Sequence, residues 1–173
     1  MLTNAEFKDF MQEHRAEILN NDWTTIYDGL PSLKDVSNLT NFLLNKVHIN
    51  PLYYMTSVPI YFAYNLDIPS INIPNNVTTI GMSAFENCSK LTSINIPNSV
   101  RSIGSGAFYN CIRLTSITIP NSVTSIERYV FANCDNLKEI KYTGNQQQWD
   151  KLLSTNEDFA EWIRENKVKV IFI

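Results

Sequence analysis

Histidine is almost missing from this 173-residue chain, which holds only His14 and His48, and cysteine occurs just three times. Neither histidine is near a cysteine in sequence. Cys88, Cys111 and Cys134 lie 23 residues apart, an interval that no zinc motif uses. A nucleophilic thiol needs a polar, electropositive setting, and these three are written among Phe, Ile and Leu. Their odd number leaves one without a disulfide partner, so they read as reduced core thiols in a reducing compartment. No apolar run approaches the ~20 residues of a membrane span. The opening MLTNAEFKDFMQEHRAEIL has no basic segment followed by an apolar one, so no signal peptide and a cytoplasmic location are expected. The glycosylation triplets at Asn38, Asn76 and Asn87 are then coincidental.

Charge is scarce as well. Charged residues make up 18% of the chain and the net charge is −3, all of it arising before residue 62. Lys90, Arg101, Arg113 and Arg128 fall on three different positions of a 23-residue frame, so they build no stripe. A surface that tracked phosphates would repeat its bases in register, and direct nucleic-acid binding is not expected. Glu157, Asp158, Glu161 and Glu165 read as a solvated helix face, not as acid–base carboxylates or a cation site. No catalytic, cofactor-binding or metal-binding residue is expected, and no cofactor.

What the sequence does have is one phrase written three times. INIPNNVTTIGMSAFENCSKLTS begins at Ile71, INIPNSVRSIGSGAFYNCIRLTS at Ile94 and ITIPNSVTSIERYVFANCDNLKE at Ile117. A fixed period in this range marks a solenoid. Each copy is too short to bury its own apolar face and must share a core with its neighbours. Leu91, Ile94 and Ile96 have the spacing of a short strand with inward side chains, which sends Ser93, Asn95 and Pro97 outward. Val100 and Ile103 form a second inward pair, and Ala107, Phe108 and Cys111 fill the opposite side. The shared pattern IPNSVTSIGxxAFxNCxxLTSI resembles the BspA-like leucine-rich repeat family. That resemblance implies a right-handed solenoid used for binding other molecules, with no shared catalytic residues.

The register reaches back before the obvious copies: Phe62, Ile68 and Ser70 lie 23 residues before Phe85, Leu91 and Ser93, a degenerate half-repeat. Upstream, helical spacing predicts a helix over 4–19, a short one through Trp23, Ile26 and Tyr27, and a third carrying Val36, Leu39, Phe42 and Leu43 inward. Asn50-Pro51 then caps a turn. Tyr53, Tyr54, Val58 and Ile60 are expected to hold this helical part against the array. Downstream, Tyr142-Thr-Gly-Asn-Gln-Gln-Gln-Trp149 is similar to the segment that ends many BspA-like arrays, with Trp149 covering the last repeat. Asn145 caps one short helix, Thr155 with Asp158 a second that turns Phe159, Trp162 and Ile163 inward, and Lys167 to Ile173 closes the sheet as an edge strand.

The expected architecture is therefore an α/β leucine-rich-repeat solenoid over 61–142, with an all-helical N-terminal domain over 1–60 and a helix–helix–strand cap over 143–173. The expected function is non-enzymatic protein binding by a composite surface. Trp23 and Tyr27 of the helical part join the outward strand residues Asn72, Ser93, Asn95, Ser116 and Thr118, and neither nucleic acid nor membrane is involved. A phage or mobile-element protein docking on a host component, as a counter-defence inhibitor would, is the expected setting; a structural virion or assembly part is the alternative. Gly81 and Gly104 share a turn position that Glu127 takes in the third copy, so either that turn needs no positive φ or its last example is strained.

Overall fold

The computed structural model describes residues 9–10, 12–14, 23–30, 32–45 and 50–173. The expected helix over 4–19 therefore lies mostly outside the described residues, and His48 lies outside them as well. The described elements are α1 (Trp23–Asp28), α2 (Leu33–Asn45), a 3₁₀ turn (Pro51–Tyr54), β1 (Ser57–Val58), β2 (Thr79–Ile80), β3 (Ser102–Ile103), β4 (Ser116–Ile119), β5 (Ser125–Ile126), β6 (Glu139–Tyr142), α3 (Gln146–Ser154), α4 (Glu157–Glu165) and β7 (Lys169–Phe172).

Two parallel ladders run along the solenoid. One joins β1, β2, β3 and β5, one two-residue strand from each of four coils. The other joins β4, β6 and β7 and is continued by single bridges from Asn72 to Asn95 and from Asn95 to Thr118. Inward residues fill the space between them: Leu91, Val100, Ile103, Ala107, Phe108 and Cys111 are fully buried and Ile94 and Ile96 nearly so. Pro97, expected to face outward, is buried together with Pro74 and Pro120. The chain is already turning there, since the carbonyls of Pro74, Pro97 and Pro120 accept from Val77, Val100 and Val123 three residues on.

The loop side is built from a stack. Phe85 and Phe108 lie with ring centroids 5.4 Å apart and planes within 6°, and Phe108 and Phe131 repeat this at 5.5 Å. Such offset stacks are worth about 0.5–1.5 kcal/mol each beyond the area they bury. Behind the rings, the thiols of Cys88, Cys111 and Cys134 donate to the carbonyls of Ala63, Phe85 and Phe108 at 3.1, 3.2 and 3.0 Å. Just before each cysteine the backbone is left-handed at Asn87, Asn110 and Asn133, with φ of 59°, 57° and 59°. Asparagine is among the few non-glycine residues that visit this region readily.

The degenerate first coil departs from the expected spacing. Ser57 and Val58 pair with Thr79 and Ile80, an offset of 22, while later coils pair at 23. Left-handed Tyr61 and Asn65 likewise precede Ser83 and Asn87 by 22. By Pro69, whose carbonyl accepts from Thr92, the offset is 23. The missing residue thus falls between Asn65 and Pro69. Ala63 therefore stands where Phe85 stands in the next coil, and Phe62 reaches Phe85 edge-on, at 6.2 Å and 78°.

The ends close this core. Tyr27 packs on Phe62 at 5.7 Å, with its hydroxyl hydrogen-bonded to Thr40 at 2.8 Å. On α2, Val36, Leu39, Phe42 and Leu43 are buried as expected. Residues of α1 and α2 belong to the same hydrophobic cluster as the repeats, and β1 already joins the ladder, so the described helices are the end of the solenoid body. The contacts at this junction are corrected: Tyr53, Tyr54 and Ile60 are exposed, and Leu52, Met55 and Val58 make the join. In a 3₁₀ turn side chains three apart eclipse one another, so Leu52 and Met55 share the inner side.

At the other end Trp149 is buried against Tyr142, at 4.9 Å. Asn145 forms the expected cap, in full capping-box form with Gln148. Asn156, not Thr155, caps α4: its side chain accepts from Phe159 N–H and its amide donates to the Ile126 carbonyl. Thr155 instead ends α3, its hydroxyl donating to the Leu152 carbonyl at 2.7 Å. β7 pairs in parallel with β6 as the edge strand, and Val168 is buried, but Phe172 is exposed.

The glycine turn also resolves. Neither Gly81 nor Gly104 has a positive φ; a Cβ there would meet Val58 O or Met82 N, each at 2.7 Å, so glycine serves close approach of successive coils. Positive φ falls two residues later, at Ser83, Gly106 and Tyr129 (51°, 61° and 58°), so Tyr129 carries the strain in the third copy.

Two outcomes follow. A left-handed conformation costs a non-glycine residue about 1–2 kcal/mol, partly offset by the greater unfolded freedom of glycine. Tyr129→Gly should therefore raise stability by about 1 kcal/mol in urea unfolding, and a lower midpoint would contradict the strain. Burial pushes the Cys88 thiol up to about 12 from 9.0, and the neighbouring Cys134 thiol together with burial raises Cys111 as well. Folded-state values above the unfolded ones mean that the stabilisation is complete below pH 9.0 and is lost as pH rises beyond it. Each thiol proton released on unfolding there should cost about 1.4 kcal/mol per pH unit, a slope that Cys88→Ala should reduce. Rapid labelling of the native thiols near neutral pH would contradict their burial.

Candidate functional site

The long ladder leaves one side of its strands outside. Because side chains alternate along a strand, residues that flank the buried series from Ile73 to Tyr142 point away from the core in register from coil to coil. One row runs Ser93, Ser116, Glu139, Lys169; the next runs Asn72, Asn95, Thr118, Lys141, Ile171. Asn72, Ser93 and Asn95 are exposed, and Ser116 and Thr118 are half-buried. These five expected binding residues are thus brought onto one surface, over a shallow concavity of about 370 Å³ that also reaches Ser70 and Lys141.

Trp23 and Tyr27, expected on the same surface, are core residues. They are 4% and 3% exposed, and burial pushes the Tyr27 hydroxyl above its usual range. Their place is taken by Tyr53. The Asn72 amide donates to the Tyr53 hydroxyl at 2.9 Å, and the Asn50 amide donates to the Asn72 carbonyl at 2.8 Å. A tyrosine that is 56% exposed is thereby tied to the first residue of the asparagine row. Leu52-Tyr-Tyr-Met55 was the available signal: an apolar pair three apart in a turn opened by Asn50-Pro51 puts the tyrosines between them outside.

The far end of the face is charged. Lys141 Nζ and Glu139 Oε1 are 3.6 Å apart, and both are partly exposed. Between Tyr53 and this pair the face carries only amides and hydroxyls. The short ladder has a similar row of Ser57, Thr79, Ser102 and Ser125, where the Ser102 hydroxyl reaches Thr79 at 3.3 Å.

No cluster of three or more His, Cys, Asp or Glu side chains suited to a metal occurs among the described residues. His14 lies against Phe10, with ring centroids 4.5 Å apart. Among the described residues no helix is long and apolar enough to cross a membrane.

Comparison with solved structures finds leucine-rich-repeat proteins of bacteria. One from Bacteroides ovatus is 28% identical over 68% of this chain and 28% of its own, with a TM-score of 0.54. The T. pallidum leucine-rich repeat protein is 32% identical over 39% of this chain and 32% of its own, with a TM-score of 0.39. The chain thus spans about a third of the length of the solved proteins it matches. No curated protein matches it. The model of the BspA type leucine rich repeat region, written as six copies, matches residues 56–171, which takes in every coil and the strand of the cap. The chain belongs to the BspA-type leucine-rich repeat family.

Proposed function

We propose that the chain is a non-enzymatic protein-binding module whose contact surface is the outer face of the long ladder, from Tyr53 across Asn72, Asn95 and Thr118 to Lys141. The observation that carries this reading is the Asn72–Tyr53 hydrogen bond, which holds an exposed aromatic ring in register with the amide row. Tyrosine contributes large contact area at low entropic cost, and Asn and Ser supply adaptable hydrogen bonds; interface centres are otherwise depleted in charge. The face combines these: a ring at one end, uncharged polar side chains in the middle, and the Glu139–Lys141 pair at the rim. Its rows are held in register by parallel pairing from Asn72 to Lys141, so a partner meets a surface that is already ordered and loses little on binding.

Site-specific photocrosslinking from position 95 in a cell extract, compared with position 112 on the loop side, tests the placement. Position 95 should give a discrete protein adduct that position 112 does not. Tyr53→Ala should weaken capture about thirty-fold, as removal of an interface hot spot does, while circular dichroism stays unchanged. Full capture by folded Tyr53→Ala and Asn95→Arg variants would move the site elsewhere.

A further inference from the structure

Between the cap helix α3 and the last coil lies a cavity of about 180 Å³. That is well below the ~300–1,000 Å³ of pockets that take drug-sized ligands, so it suits a guest the size of one side chain. Val123 and Leu152, both core residues, give it an apolar part. Tyr142 also lines it and is only 1% exposed, yet its hydroxyl forms no hydrogen bond with any described residue. A Cβ on Gly144 would meet Tyr142 Cε1 at 2.5 Å, Gln148 Oε1 at 2.6 Å and Asn121 Cβ at 3.0 Å. The hydroxyl end of the ring therefore lies in the same corner as Gln148 and Asn121, which line the cavity with it.

A nearly buried polar group without a partner is uncommon in a folded protein and calls for an explanation. A phenylalanine would pack against Trp149 and Phe172 in the same way, so the core has no use for the hydroxyl. Burial pushes the hydroxyl above its usual range, so it keeps its proton and stands as a donor. The other polar groups of the lining divide by whether they are already engaged. Thr124 and Thr155 donate their hydroxyls to the carbonyls of Arg101 and Leu152, at 3.4 and 2.7 Å. Gln148 accepts from Asn145 N–H at 3.0 Å through its side-chain oxygen, which leaves its NH₂ without an acceptor among the described residues. Lys151 forms no ion pair among them. What remains free is a tyrosine O–H, an amide NH₂ and an ammonium, beside an exposed amide from Asn121. Donors of this kind next to hydrocarbon suit a guest with acceptors at one end and an apolar stem at the other, which describes a carboxylate on a short aliphatic chain.

We propose that this cavity binds a small aliphatic carboxylate, whose oxygens accept from Tyr142, Gln148 and Lys151 and whose stem lies on Val123 and Leu152. A free short acid and the C-terminal valine or leucine of a protein both offer that group. The site is separate from the ladder face and stands whether or not a partner binds there.

The full chain should be titrated with isovalerate and, in parallel, with isovaleramide, which keeps the shape and removes the charge. Trp149 packs on Tyr142 with ring centroids 4.9 Å apart, so its indole N–H resonance reports on the cavity, and buried Trp23 at the other end of the solenoid serves as reference. The Trp149 signal should shift saturably with isovalerate, in the millimolar range expected of so few atoms, and much less with the amide. An acetylated Gly-Gly-Val peptide with a free carboxylate separates the two sources: binding tighter than that of isovalerate assigns the site to a chain terminus, weaker binding to a free acid. Tyr142→Phe removes one oxygen that bonds to nothing in the fold, so stability in urea should not fall, while isovalerate binding should weaken about ten-fold. Lys151→Gln should weaken it as well and flatten its dependence on salt. No saturable shift at Trp149, equal shifts with isovaleramide, or an unchanged affinity in folded Tyr142→Phe would each overturn the proposal.

Discussion

The stacking of Phe85, Phe108 and Phe131 governs the rest of the molecule. Rings held at 5.4 and 5.5 Å with planes 6° apart require successive coils to return to the same height and angle each time. That return is achieved by coils of one length, by left-handed asparagines before each cysteine, and by glycines that let one coil lie on the backbone of the last. Where the coil is one residue shorter, the next ring of the column turns edge-on. The column continues through Phe62 to Tyr27 at one end and through Phe159 and Trp162 at the other. The helices at both ends thus finish an aromatic core that the repeats alone would leave open to water.

Because the core uses every second strand residue and the whole inner side of the loops, what remains outside is ordered but uncommitted. The two sides differ in chemistry. The long ladder presents amides, hydroxyls and one tethered tyrosine, whereas the last loop and α4 line a groove with aromatic and carboxylate side chains. The first is a repeated feature and the second occurs once, where the array stops repeating.

Most of the fold was legible in the sequence because a repeat multiplies its own evidence. Phe, Cys and Ile at a fixed interval locate the core without any long-range inference, and the polar residues between them locate the face that carries Asn72, Ser93, Asn95, Ser116 and Thr118. Pro97 was misread inside the repeat, because the chain turns there and alternation ends; the other errors lie where the pattern is written only once. Trp23 and Tyr27 are aromatics without a repeated counterpart, and nothing local distinguishes an aromatic that ends a core from one that meets a partner. Tyr53 and Tyr54 were misplaced for the same reason, although the Leu52–Met55 pair already marked the inner side of their turn.

The sequence by itself determined the solenoid, the length of its coils, the inward residues and the outward row, since each follows from periodicity and from the need to bury apolar side chains. Tertiary structure alone decided what depends on the meeting of distant segments. It placed the missing residue of the first coil between Asn65 and Pro69, gave Asn156 the role of cap through its reach to Ile126, and tied Tyr53 to Asn72. Each of these joins residues that share no period. Local propensity cannot rank such contacts, because their energy exists only once the coils are stacked.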